Sequence, residues 1–93
     1  MKVKELLTLL AEKDPEAVVL IAGFETDSTP YAAEADTVAD MQTVPAAPHI
    51  ADPMTGNRQC VSSGGEPSVW IGWQGDYRTE TFIRIARNPD EDD

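Results

Sequence analysis

The chain has one cysteine, one histidine and six aromatic residues, and between Asp14 and Asn57 it has no lysine or arginine. Each scarcity excludes something. With Cys60 alone there is no intrachain disulfide, and a reducing cytosol is the expected compartment. His49 and Cys60 are too few for the paired ligand motifs of a structural zinc site, and their spacing with Asp52 matches no metal or nucleophile pattern. No metal and no cofactor are expected, and no catalytic residue is assigned. The segment Asp52-Pro53-Met54-Thr55-Gly56-Asn57 lacks the alternating oxygen ligands and closing glutamate of a calcium loop. Ser62-Ser63-Gly64-Gly65 has no lysine after it, so it reads as a turn and not a phosphate cradle. No apolar run approaches the roughly 20 residues that span a bilayer, and the basic start at Lys2 and Lys4 is followed by no signal-peptide pattern.

What is present is negative charge. The 93 residues carry a formal net charge of -10. The stretch without lysine or arginine holds Asp14, Glu16, Glu25, Asp27, Glu34, Asp36, Asp40 and Asp52, and Asp90-Glu91-Asp92-Asp93 closes the chain. Such a surface repels nucleic acid and anionic membranes and attracts basic proteins. Direct nucleic-acid binding and membrane association are therefore not expected. A basic protein or nucleoprotein complex is the expected partner.

The length suits one domain with a small core, placed over residues 1–88, with residues 89–93 as a disordered acidic tail. Val3, Leu6, Leu7 and Leu10 follow the i, i+3, i+4, i+7 spacing of a one-striped helix, which Asp14-Pro15 stops. Ala17 to Ala22 is an unbroken apolar run rich in β-branched residues, expected to be a strand buried on both faces with the helix across its sheet. From Ala33 to Val44, small and apolar residues alternate with Glu34, Asp36, Val38 and Asp40, favouring a strand with an acidic outer face. A helix capped at Thr29 is the rival. Residues 44–57, with Pro45, Pro48 and Pro53, read as a long loop. Short strands are expected at Arg58 to Ser62 and Ser68 to Trp73. Tyr77 to Arg87, alternating Thr79, Thr81, Ile83 and Ile85 with Arg78, Glu80, Phe82 and Arg84, is expected to close a hairpin as the longest strand. The fold class is α+β, an N-terminal helix on a mainly antiparallel sheet of about four strands.

Met1-Lys2-Val3-Lys4-Glu5-Leu6-Leu7, Asp14-Pro15-Glu16-Ala17, Val19-Leu20-Ile21 and Gly23-Phe24-Glu25 together resemble a group of small uncharacterised bacteriophage and prophage proteins. That resemblance covers about the first quarter of the chain. It implies a phage or mobile-element origin and a site of action in the host bacterial cytosol, and it brings no catalytic residues.

The functional expectation is a binding protein and not an enzyme: an inhibitor of a host nucleic-acid-handling defence complex, anti-CRISPR-like or anti-restriction, acting by charge mimicry or steric block. Duplex DNA carries one charge per about 1.7 Å of axis, so a mimic needs several carboxylates on one face. Glu34, Asp36 and Asp40 would share one strand face with Val38. Glu25 and Asp27 extend the acidic set. Arg78, Glu80 and Arg84 would share one strand face, its arginines pairing across strands with an acidic neighbour such as that row. Trp70 and Trp73, three apart in a strand, would face opposite ways, one in the core and one available as an anchor for the partner. The alternative function is a self-associating phage structural or assembly component that forms a homo-oligomer through exposed sheet edges.

Overall fold

The computed structural model describes residues 1–23 and 26–87. Its elements, in chain order, are helix α1 (Val3–Leu10), strands β1 (Leu20–Ile21), β2 (Ala33–Glu34), β3 (Thr37–Pro45), β4 (Arg58–Val61) and β5 (Glu66–Gly72), and helix α2 (Tyr77–Arg87). The class is α+β, with the strands divided between a two-stranded and a three-stranded sheet, both antiparallel, in place of one four-stranded sheet. The chain forms two compact units, Met1–Ala35 and a second beginning at Asp36.

In the first unit, α1 is held by its own termini. The Lys2 carbonyl accepts from the Glu5 and Leu6 amides, and the Glu5 carboxylate accepts from the Lys2 amide at 2.6 Å. Glutamate near a helix N-terminus also suits the helix dipole. The helix buries no residue. Leu7 is 64% exposed, so the apolar stripe at Val3, Leu7 and Leu10 lies open, contrary to the expected packing across a sheet. A second correction concerns the run from Ala17 to Ala22. Only Leu20 and Ile21 form a strand, pairing with Glu34 and Ala33, and Val18, Val19 and Leu20 remain exposed. An apolar run signals burial only where another layer covers it, and a two-residue ribbon supplies no second layer.

The second unit is built around β3, whose expected alternation is present: Thr37, Ala39 and Met41 turn inward and Val38 and Asp40 outward, with Met41 buried. The rival helix over residues 33–44 does not form. The strand order β4-β3-β5 places consecutive strands on opposite edges of β3. β4 runs along its C-terminal part, from Pro45 opposite Arg58 to Gln42 opposite Val61. The chain then crosses β3 through residues 62–65, and β5 continues in the direction of β4, from Thr43 opposite Glu66 to Thr37 opposite Gly72. Gly65 permits this crossing. Its amide donates to Gln42 Oε1 at 3.0 Å, and a Cβ there would press on the Thr43 backbone.

Residues 77–87 overturn the expected closing strand, since they form α2. The segment alternates with period two, but Thr79, Phe82, Ile83 and Ala86 also have the i, i+3, i+4, i+7 spacing of a helix. The deciding features lie at the ends. Asp76 caps the first turn by accepting from the Arg78 amide at 2.9 Å, Glu80 occupies that turn, and Arg84 and Arg87 occupy the last. Glu80 also precedes Arg84 by four residues, the favourable order for a helical pair. α2 covers the inner sheet face, lying against β3 and β4. Trp70 of β5 meets Phe82 edge to face at 4.7 Å between ring centroids, and its Nε1–H donates to the buried Thr79 Oγ1 at 2.9 Å.

Candidate functional site

Of the residues expected to contact a partner, Glu25 lies outside the described residues, as do Asn88 and the acidic tail expected at 89–93. Asp27 and Glu34 are exposed in the first unit, while Asp36, Asp40, Trp70 and Trp73 belong to the second. The expected continuous row of Glu34, Asp36 and Asp40 is interrupted, because β2 ends at Glu34 and β3 begins at Thr37. Asp36 falls between them and has local work. Its Oδ1 accepts from the Gln74 amide at 3.0 Å and from Thr37 Oγ1–H at 2.8 Å, fastening the turn after β5 to the start of β3.

Other carboxylates of the second unit serve the backbone in the same way. Asp52 Oδ1 accepts from the Met54 and Thr55 amides at 2.8 and 2.7 Å, and the Thr55 bond foremost holds its carboxyl below the usual range. The loop after β3 is thus ordered by local bonds: Ala46 N–H donates to Asn57, the Ala47 carbonyl accepts from Ile50 and Ala51, and Gly56 takes a positive φ of 95° to donate back to Asp52. Asp76 is buried and pairs with Arg78, whose Nε lies 2.9 Å from Oδ1 and whose terminal nitrogen lies 2.5 Å from Oδ2. That guanidinium is the main cause of a carboxyl held below its ordinary value. Arg78 therefore pairs at its own helix terminus, and with residues 77–87 helical the cross-strand pairing expected for Arg78, Glu80 and Arg84 does not arise. Glu66 forms an ion pair with Arg58, which also donates to the Thr43 side chain and carbonyl at 3.1 and 3.2 Å.

Asp40 differs from all of these. It is exposed on the outer face of β3 with no hydrogen bond or ion pair among the described residues. Its cross-strand neighbour is Val69, and Val38 pairs with Ile71 beside it. The part of the outer face around Asp40, expected to be acidic, therefore sets one carboxylate against three aliphatic side chains, with Val38 76%, Val69 41% and Ile71 38% exposed. The sequence showed Val38 and Asp40 on this face. It could not show Val69 and Ile71 there, because that depends on the β3–β5 register.

The two tryptophans are half-buried. Trp70 packs on Phe82 and Thr79 of α2, and its ring abuts Gly72, where a Cβ would run into Trp70 Nε1 and Thr79 Oγ1. Trp73 lies just past β5 with its indole against Gly75, whose lack of a Cβ leaves it room. Cys60 is partly buried on β4, and desolvation pushes its thiol pKa up, which suppresses the thiolate that reactivity requires. No group of three or more histidine, cysteine, aspartate or glutamate side chains capable of holding a metal ion occurs among the described residues. No helix among them is long and apolar enough to cross a membrane. A shallow depression lined by Lys4, Glu5, Thr8 and Leu9 lies on one face of α1 and encloses no buried side chain. No protein-family model, curated protein or solved structure matches the chain.

Proposed function

We propose that this protein is a small acidic binding module that docks on a basic partner protein. The observation that carries this reading is the coexistence of a net charge of -10 with large aliphatic side chains left in water, Val38 and Leu7 foremost. Charge keeps such a chain soluble and speeds encounter with a basic surface, while contiguous exposed apolar groups favour a protein contact. A host nucleic-acid-handling complex is the target class, because such complexes present basic grooves, and a phage-encoded inhibitor is the specific form. Steric block is favoured over phosphate mimicry, since four carboxylates of the second unit are occupied with caps, turns and an ion pair.

A tagged pull-down from bacterial lysate, washed at low and high salt, tests the proposal. Retention of a nucleic-acid-binding complex, weakened by salt and by charge reversal at Asp27, Glu34 and Asp40, is the expected result. Those three side chains are exposed, so the triple variant should keep its fold. Asp36 is spared because its carboxylate fastens the backbone. Full retention by the triple variant would sink the reading.

Self-association is the second reading. It is favoured by the open stripe of α1 and by the outer edges of β4 and β5, which pair with no other strand among the described residues. Light scattering over a range of concentrations decides it: a discrete oligomer dissociated by Leu7→Glu supports it, and a monomer throughout removes it.

A further inference from the structure

The outer face of the three-stranded sheet combines an exposed apolar surface with one carboxylate. α2 covers the inner face, through Trp70 and Phe82. On the outer face Val38, Val69 and Ile71 surround Asp40, whose carboxylate makes no hydrogen bond or ion pair among the described residues. Side chains directly opposite or diagonal across an antiparallel pair lie within about 5–8 Å, so the three aliphatic groups and the carboxylate form one patch.

We infer that this patch is a docking surface for an extended, cationic apolar segment of a partner protein, with a lysine or arginine on Asp40 and aliphatic neighbours on Val38, Val69 and Ile71. Charge complementarity selects the occupant. Any cover that excludes water from the aliphatic groups also strips water from Asp40, and an unpaired carboxylate resists that. A purely apolar cover is disfavoured on this ground. A second copy of the chain, applied face to face, would bring two Asp40 carboxylates together and is disfavoured by like charge. A segment with the order apolar, basic, apolar at alternate residues satisfies both demands, since alternate side chains of an extended chain share one face.

The inference rests on the proposed binding function, and a peptide titration separates the two. The probe is the capped peptide Ac-Ser-Val-Ser-Arg-Ser-Val-Ser-NH2, added to the isotopically labelled full chain and followed by amide chemical shifts. Shifts should move at Val38 to Asp40 and Val69 to Ile71. Replacing the peptide arginine with glutamate should abolish them, and Asp40→Asn should weaken binding about fivefold, the upper range for an exposed ion pair. Val38→Asp, at a position outside the core, should abolish binding with the fold retained. The inference is overturned if the shifts map elsewhere, if no binding occurs, or if Asp40→Asn binds equally well. Peptide binding here with an empty lysate pull-down overturns the host-target reading alone. A host target retained equally by wild type, Asp40→Asn and Val38→Asp overturns this face alone.

Discussion

Gly72 and Asp76 bracket the turn from β5 into α2, and each acts through one atomic feature. At Gly72 the missing Cβ leaves the space in which Trp70 Nε1 and Thr79 Oγ1 meet. Gly72→Ala should cost about 1–3 kcal/mol in urea unfolding, as overpacked cores do. An unchanged midpoint would mean that α2 shifts freely on the sheet. At Asp76 the relevant feature is charge. Its carboxyl titrates below the usual range because Arg78 and the helix amide favour the ionised form, so the folded pKa lies below the unfolded value of about 3.9. The linked stability is fully present above that unfolded value and is lost as pH falls through the folded one. Asp76→Asn keeps an acceptor for the Arg78 amide and removes the charge. It should be about 1 kcal/mol less stable than wild type at neutral pH, with the gap closing on acidification below about pH 4. A gap independent of pH would assign the loss to geometry and not to ionisation.

At the scale of elements, what was legible in the sequence depended on how many physical signals agreed. β3 was legible because alternation over Thr37 to Met41 favours a strand over the rival helix, and the break between β4 and β5 because two adjacent glycines interrupt two β-rich runs. α1 was legible in its stripe, though not in its end, which comes at Leu10 and not at Asp14-Pro15, nor in its exposure, which depends on what the rest of the chain provides. α2 was not legible from its interior, where threonine and isoleucine favour strands, and only Asp76, Glu80, Arg84 and Arg87 at its ends mark a helix. The strand order was not legible. Adjacent strands joined by a few residues ordinarily pair with each other, and here β4 and β5 instead take opposite edges of β3. The candidate site was half legible for the same reason: Asp40 and Val38 follow from periodicity, whereas their neighbours Val69 and Ile71 follow only from the crossing.

For the whole molecule, the charge is unevenly placed. Between Asp36 and Arg87 the carboxylates of Asp36, Asp40, Asp52, Glu66, Asp76 and Glu80 are set against Arg58, Arg78, Arg84 and Arg87. Most of the excess therefore resides in the first 35 residues and in Asp90 to Asp93. The crossing of β3 also bears on how this unit opens. Gln42 and Thr43 are the residues of β3 paired on both sides, to Val61 and Cys60 on one edge and to Pro67 and Glu66 on the other. In an antiparallel sheet each residue turns its N–H and C=O to one edge only, so of these two successive residues one bonds to β4 and the other to β5. Peeling away one neighbour frees one of the two amides and leaves the other held. If the ladders open together, the Gln42 and Thr43 amides should exchange with deuterated solvent at a common rate. Rates that differ between the two would mean that the ladders open independently. If the two come apart only jointly, residues 42–43 are the hinge pin of the unit.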